Sequence, residues 1–203
     1  MPKVVDHGSR RREIARAVWR SVGRVGLDAV TVREIAEEAG YSTGVLAHYF
    51  EDKDEMLLHA LRVSVELAIE RAERAEGSGG LGGATAREAL REGLAGCLPL
   101  DSSRRDEWRV WLAFWGRAAA DDALAAEQRG WYERWRGLVR ALILDCQEEG
   151  TLPAELDAAR ESDVLVALVD GIGLQATLEA GRLSAKAQIS LLDRQLELLG
   201  AEG

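Results

Sequence analysis

Apolar positions recur at helical spacing along almost the whole chain. Ile14, Val18, Val22 and Val25 share one stripe of a helix over 9–25, and Gly26 ends it. Thr31-Val32-Arg33-Glu34 has the form of a capping box, opening a short helix with Val32, Ile35, Ala36 and Ala39 inward and a stop at Gly40. Ser42 caps a third helix that runs through Phe50. Asp52-Lys53-Asp54-Glu55 then opens a fourth, long helix expected to reach about residue 75. The stretch EGSGGLGGA at 76–84 holds five glycines in nine residues, and the entropy cost of glycine in a helix predicts a flexible loop there.

Five further helical patterns follow, over 85–98, 103–119, 122–149, 158–180 and 184–199, giving about nine helices in all. Only three prolines interrupt 203 residues. The expected fold is all-α: an N-terminal helix-turn-helix unit over 1–52 and a helical body over 53–203.

Residues 31–50 carry the most specific local chemistry. Two short helices meet at a turn holding Gly40, and in the second Val45, Leu46 and Phe50 face inward. Thr43, Gly44, Ala47 and His48 face outward, a small surface able to approach base edges, with hydroxyl and imidazole groups suited to phosphate oxygens. An ordinary corner of a helical bundle with a solvated face is the competing reading.

Charge modifies this picture locally. The whole chain carries −9, yet residues 1–52 balance eight bases against eight acids, and residues 1–27 set seven bases against Asp6 and Glu13, a net +5. Salt screens beyond ~10 Å, so an acidic body does not exclude a basic DNA-facing end. Composition, at 47% hydrophobic and 30% charged, is globular. No apolar run approaches the ~18 residues of a membrane span and no secretory stretch opens the chain, so a cytoplasmic protein is expected.

Catalysis finds little support. His7, His48 and His59 are scattered, Cys97 and Cys146 lack ligand-like neighbours and are expected as reduced structural thiols, and no phosphate loop is present. No catalytic set, metal or cofactor is implied.

The stretch TVREIAEEAGYSTGVLAHYFEDKDEML, Thr31 to Leu57, resembles the N-terminal module of the TetR family of transcriptional regulators. The resemblance implies a homodimer that places two such helices in successive major grooves of a palindromic double-stranded operator. By position, Thr31, Ser42, His48, Tyr49 and Lys53 would contact phosphate, and Arg33, Tyr41, Thr43 and Gly44 would lie nearest the bases. Ala47 departs from the aromatic common at its position, and Tyr41 is larger than the usual residue, so operator preference does not carry over.

Seven of the eleven aromatics crowd into 108–135. Trp108, Trp111 and Trp115 share one helical face, and Trp131 and Trp135 share another. Such stripes are either core or the walls of an apolar pocket able to take a cation over the ring faces. The segment WRVWLAFWGRAAADDALAAEQRGWYERW also resembles the ligand domain of the BetI-type subgroup, one of whose members responds to choline. This implies a small-molecule effector, with Trp111, Trp115, Trp131, Trp135, Asp170 and Gln175 as candidate pocket residues; the two polar ones serve equally in a buried hydrogen-bond network.

The last two helices are apolar on more than one face. Leu168, Gly171, Ile172, Leu192, Leu196 and Leu199 are the expected dimer contacts, with burial inside one subunit as the alternative. The resulting expectation is a ligand-responsive regulator acting as a repressor, against the alternative of a helical interaction module that never touches DNA.

Overall fold

A computed structural model describes residues 7–81, 85–179 and 181–201. Among them the chain forms α1 (His7–Val25), α2 (Val32–Ala39), α3 (Thr43–Tyr49), α4 (Lys53–Leu81), α5 (Ala86–Gly96), α6 (Ser102–Ala118), α7 (Asp122–Glu148), α8 (Ala158–Leu178) and α9 (Ala185–Ala201).

The ends follow from the caps. Gly26 and Gly40 sit at φ +85° and +73°, in the left-handed region that glycine enters without a Cβ penalty. Thr31 Oγ1 accepts from the Glu34 amide at 3.2 Å, and Glu34 Oε2 accepts from the Thr31 amide at 2.8 Å, a closed capping box.

Eight helices end within two residues of the sequence pattern, and α4 does not. It continues to Leu81 through residues expected to form a loop, while 82–84 lie outside the described residues. A helix already nucleated over 53–75 gains a hydrogen bond with each added residue, which here offsets a glycine cost of about 1 kcal/mol per position.

Helices α1–α3 close around Ile14, Val18, Ile35, Leu46 and Phe50, all buried. This small unit is fastened to the body at two places. The buried Trp19 indole donates to the Ala60 carbonyl of α4 at 2.9 Å, and α1 also packs along α6. In the body, Leu90, Leu94, Leu142, Ile143 and Leu165 are fully buried between α5, α7 and α8. Arg71 of α4 donates to the Gly96 carbonyl at 3.0 Å and to the buried Glu107 carboxylate of α6 at 2.8 Å. One guanidinium therefore ties three helices together, and it opposes the upward push that burial exerts on the Glu107 carboxyl.

Candidate nucleic-acid interface and aromatic cavity

The helix-turn-helix pair is built as its sequence requires. Ser42 Oγ accepts from the Val45 amide at 3.3 Å and starts α3. Leu46 is fully buried beneath that helix, so Thr43, Gly44, Ala47 and His48 are left exposed. Thr31 and Arg33 are exposed at the start of α2, and Arg12, Arg16 and Arg33 form no ion pair among the described residues. Lys53 Nζ donates to the Val30 carbonyl at 3.2 Å, so its charge sits beside Thr31 at the head of α4.

Two expected contact residues are more engaged inside the fold than their pattern suggested. Tyr49 is 9% exposed; its hydroxyl accepts from Arg10 at 3.4 Å and its carbonyl from Arg11 at 3.0 Å. The Tyr41 hydroxyl donates to Glu13 Oε2 at 2.6 Å, and that carboxylate pushes the phenol upward in pKa. Arg10 and Arg11, read from sequence only as bulk charge, brace α3 from α1: Arg11 also lies 4.5 Å over the Phe50 ring. Arg20 and Arg24 converge on Glu38 at 2.6 and 3.0 Å and fix α2 on α1.

The tryptophan stripes of α6 and α7 meet across an apolar cavity of about 70 Å³, closed further by α4 and α8. Trp108 packs at 5.0 Å from Trp111 and edge-on at 5.8 Å from Trp115, while Trp115 stacks on Tyr132 at 6.4 Å. The indole N–H of Trp108 donates to the Cys97 carbonyl at 2.7 Å, and that of Trp111 to Ser64 Oγ at 2.6 Å. With both donors used within the protein, these rings offer the cavity only their apolar and π surfaces.

Asp170 is the one carboxylate in the lining. Its Oδ2 accepts from the Tyr132 hydroxyl at 2.6 Å. Burial pushes its pKa up to about 6, against the opposing pull of that hydroxyl and of Arg136. Burial raises the Cys97 thiol, also in the lining, to about 12 and keeps it neutral. The expected residues Trp111, Trp115, Trp131, Trp135 and Asp170 thus come together around one cavity.

Gln175 does not join them; it is exposed on the opposite side of α8, five residues and about half a helical turn out of phase with Asp170. The sequence reading left Trp108 and Tyr132 off the pocket set. Trp108 shared the stripe of Trp111 and Trp115, which was the signal; nothing local marked Tyr132 as the partner of Asp170.

The expected dimer contacts divide. Ile172, Leu192, Leu196 and Leu199 are 0–4% exposed within the subunit's own core and are already covered. Leu168 and Gly171 are half-buried. The apolar row left open runs through Val164, Leu174 and Leu178 of α8 and Leu191 and Leu198 of α9, at 39–71% exposure.

A capped helix-turn-helix unit on a helical body with an aromatic-walled cavity defines the class of one-component DNA-binding regulators. Residues 13–60 match the family of bacterial regulatory proteins of the TetR type, and residues 86–201 match the BetI-type transcriptional repressor C-terminal domain. The chain is 32% identical over 91% of its length to the transcriptional regulator PksA of Bacillus subtilis, covering 86% of that protein. It is 31% identical over 92% to the regulator BetI of Stenotrophomonas maltophilia, covering 90% of it. Among solved structures, a transcriptional regulator from Saccharomonospora viridis in complex with choline superposes with TM-score 0.79 at 30% identity, covering 94% of this chain and 96% of that one. A regulator from Rhodococcus superposes with TM-score 0.77 at 30% identity over 95% of this chain and 96% of its own. The chain belongs to the TetR family and carries a BetI-type C-terminal domain; it is a transcriptional regulator, not an enzyme.

Proposed function

We propose that this regulator represses transcription as a homodimer on a palindromic operator and is released by a small organic cation held in the tryptophan cavity. Residues 1–52 read the DNA and residues 53–203 hold the effector and the partner subunit. Thr31, Ser42, His48, Tyr49 and Lys53 contact phosphate, with Thr43, Gly44, Arg33 and the Tyr41 ring edge nearest the bases.

One observation carries the effector class: a single carboxylate, Asp170, inside walls of six aromatic rings. Indole faces attract a cation through their quadrupole, and Asp170 supplies the opposite charge in a site too apolar for a carboxylate to welcome an anion. The choline bound to the S. viridis regulator supports a quaternary ammonium of that size. The effector acts only as far as it prefers one dimer state over the other, and α4, whose Leu61 lines the cavity and whose Lys53 borders the DNA face, runs from one to the other.

Anisotropy titration of the protein against DNA from immediately upstream of its own gene, with random DNA and a salt series alongside, tests the reading. Binding that is specific, steep in salt and relieved by choline is expected. Binding no tighter than to random fragments, followed by an empty genome-fragment selection, would remove the operator from the proposal; an operator complex indifferent to choline would remove the effector.

A further inference from the structure

A second and larger recess lies where the DNA-reading unit meets the body. This cleft of about 640 Å³ is walled on one side by Leu27 and the first turns of α4, and on the other by α6 and the start of α7. Its volume falls in the range of ligand pockets, ~300–1,000 Å³. It shares Leu61 with the tryptophan cavity, and Phe114, which lines the cleft, packs at 5.8 Å on Trp131 of that cavity and forms the partition between them.

Leu27, Leu58 and Leu124 line this cleft and stay half-buried, with Val110 and Phe114 beneath. The charges around them are uneven. Of its four lining carboxylates, Asp54 is held by Arg117 at 3.1 Å across the cleft and Glu55 by Arg11 of α1 at 3.4 Å, which leaves Asp52 and Asp121 without an ion pair among the described residues. Asp52 and Asp121 each use one carboxylate oxygen, Oδ1, to cap the helices that follow, which fixes their charge in place at the rim.

We propose that this cleft is a second small-molecule site, taking an amphiphilic organic cation whose apolar body lies against Leu58, Phe114 and Leu124 and whose charge faces the carboxylates. Charge complementarity selects the cation over an anion, and the volume selects a body larger than the headgroup the tryptophan cavity holds. Because Leu27 and Asp52 of the DNA-reading unit line the cleft beside the first turns of α4, an occupant touches both units.

The experiment is calorimetric titration of the full chain with decyltrimethylammonium below its micelle concentration, in the presence and absence of excess choline. Decyl sulfate serves as the anionic comparison. We expect about one equivalent of the cation to bind with choline present, and Leu124→Trp to weaken it by about tenfold or more at unchanged melting temperature. Leu58→Trp, filling the same space from α4, is the second variant should the first disturb folding. One-for-one displacement by choline, equal affinity for decyl sulfate, or indifference to both filling variants would overturn the proposal. Choline that fails to bind while the amphiphile binds and is lost on filling would sink the tryptophan-cavity reading and leave this one standing.

Discussion

The Arg109 guanidinium of α6 donates to the carbonyl of Gly23, near the end of α1, at 3.0 Å. The same nitrogen holds Asp106 Oδ1 at 2.8 Å, and a Cβ placed on Gly23 would collide with that carboxylate. Trp108 and Trp111, flanking Arg109 in sequence, line the tryptophan cavity, so one helix touches that cavity with one face and the helix-turn-helix unit with another.

Gly23→Ala forces Asp106 from its partner and is expected to cost about 1–3 kcal/mol of stability. Arg109→Ala leaves room at Gly23 but removes the tie; it should bind choline with unchanged affinity while choline loses most of its effect on operator binding. Paired choline and operator titrations check this, and full retention of the effector response would show that α6 does not act through Gly23.

The position of Asp170 sets a pH dependence. Its carboxyl, raised by burial to about 6, is protonated in acid and offers no counter-charge there. Choline affinity is therefore expected to rise as pH increases through about 6 and to level above 7. For the free protein the sign is opposite: a raised folded-state value means stability is greatest below about pH 4 as far as this group is concerned and declines as pH rises through about 6, by up to about 3 kcal/mol. Asp170→Asn should flatten both profiles and weaken choline at pH 7.5; fluorescence titrations and melts across pH 5–8 measure them.

The tryptophans separate by burial. Trp111 is 9% exposed and its indole holds Ser64 Oγ, which in turn donates to the Leu61 carbonyl at 2.7 Å. Trp111→Ala opens a hole and is expected to destabilise by ~3–5 kcal/mol. Trp131, half-buried, should lose choline affinity on replacement by Ala at a much smaller stability cost. Thermal melting beside choline titration tells the two apart.

The open leucines of α8 and α9 give a test of assembly. Leu191→Glu or Leu198→Glu should yield folded monomers by sedimentation, whereas Leu192→Glu, at a position with no exposure, should unfold the subunit. A dimer that tolerates both surface changes would move the interface elsewhere.

Lys53→Ala is expected to lower the slope of log affinity against log salt by about one with little change in sequence preference. The variant also frees the Val30 carbonyl that Lys53 Nζ now meets, so a melt accompanies the salt series.

Local patterning determined a great deal here. The caps at Thr31 and Ser42 and the left-handed glycines at 26 and 40 are written in adjacent residues, because capping and left-handed turns are satisfied within one helical turn. The order of the tryptophans likewise placed three on one face of α6. Local pattern misjudged the end of α4, where residue propensity argued for a loop and the cooperativity of a long helix overrode it.

Tertiary structure alone decided which of two apolar stripes faces inward. In α8 the Leu165-Val169-Ile172-Ala176 row turned to the core and left Val164, Leu174 and Leu178 open; in α9 Leu192, Leu196 and Leu199 turned in and left Leu191 and Leu198 out. Helical periodicity shows that two faces are apolar but carries no information on which neighbour covers each. It also decided that Asp170 would meet Tyr132, 38 residues away, and Gln175 would not join it. Pairing across separate helices depends on how those helices are rotated against one another, a quantity set by packing of the whole body and by no short stretch of sequence.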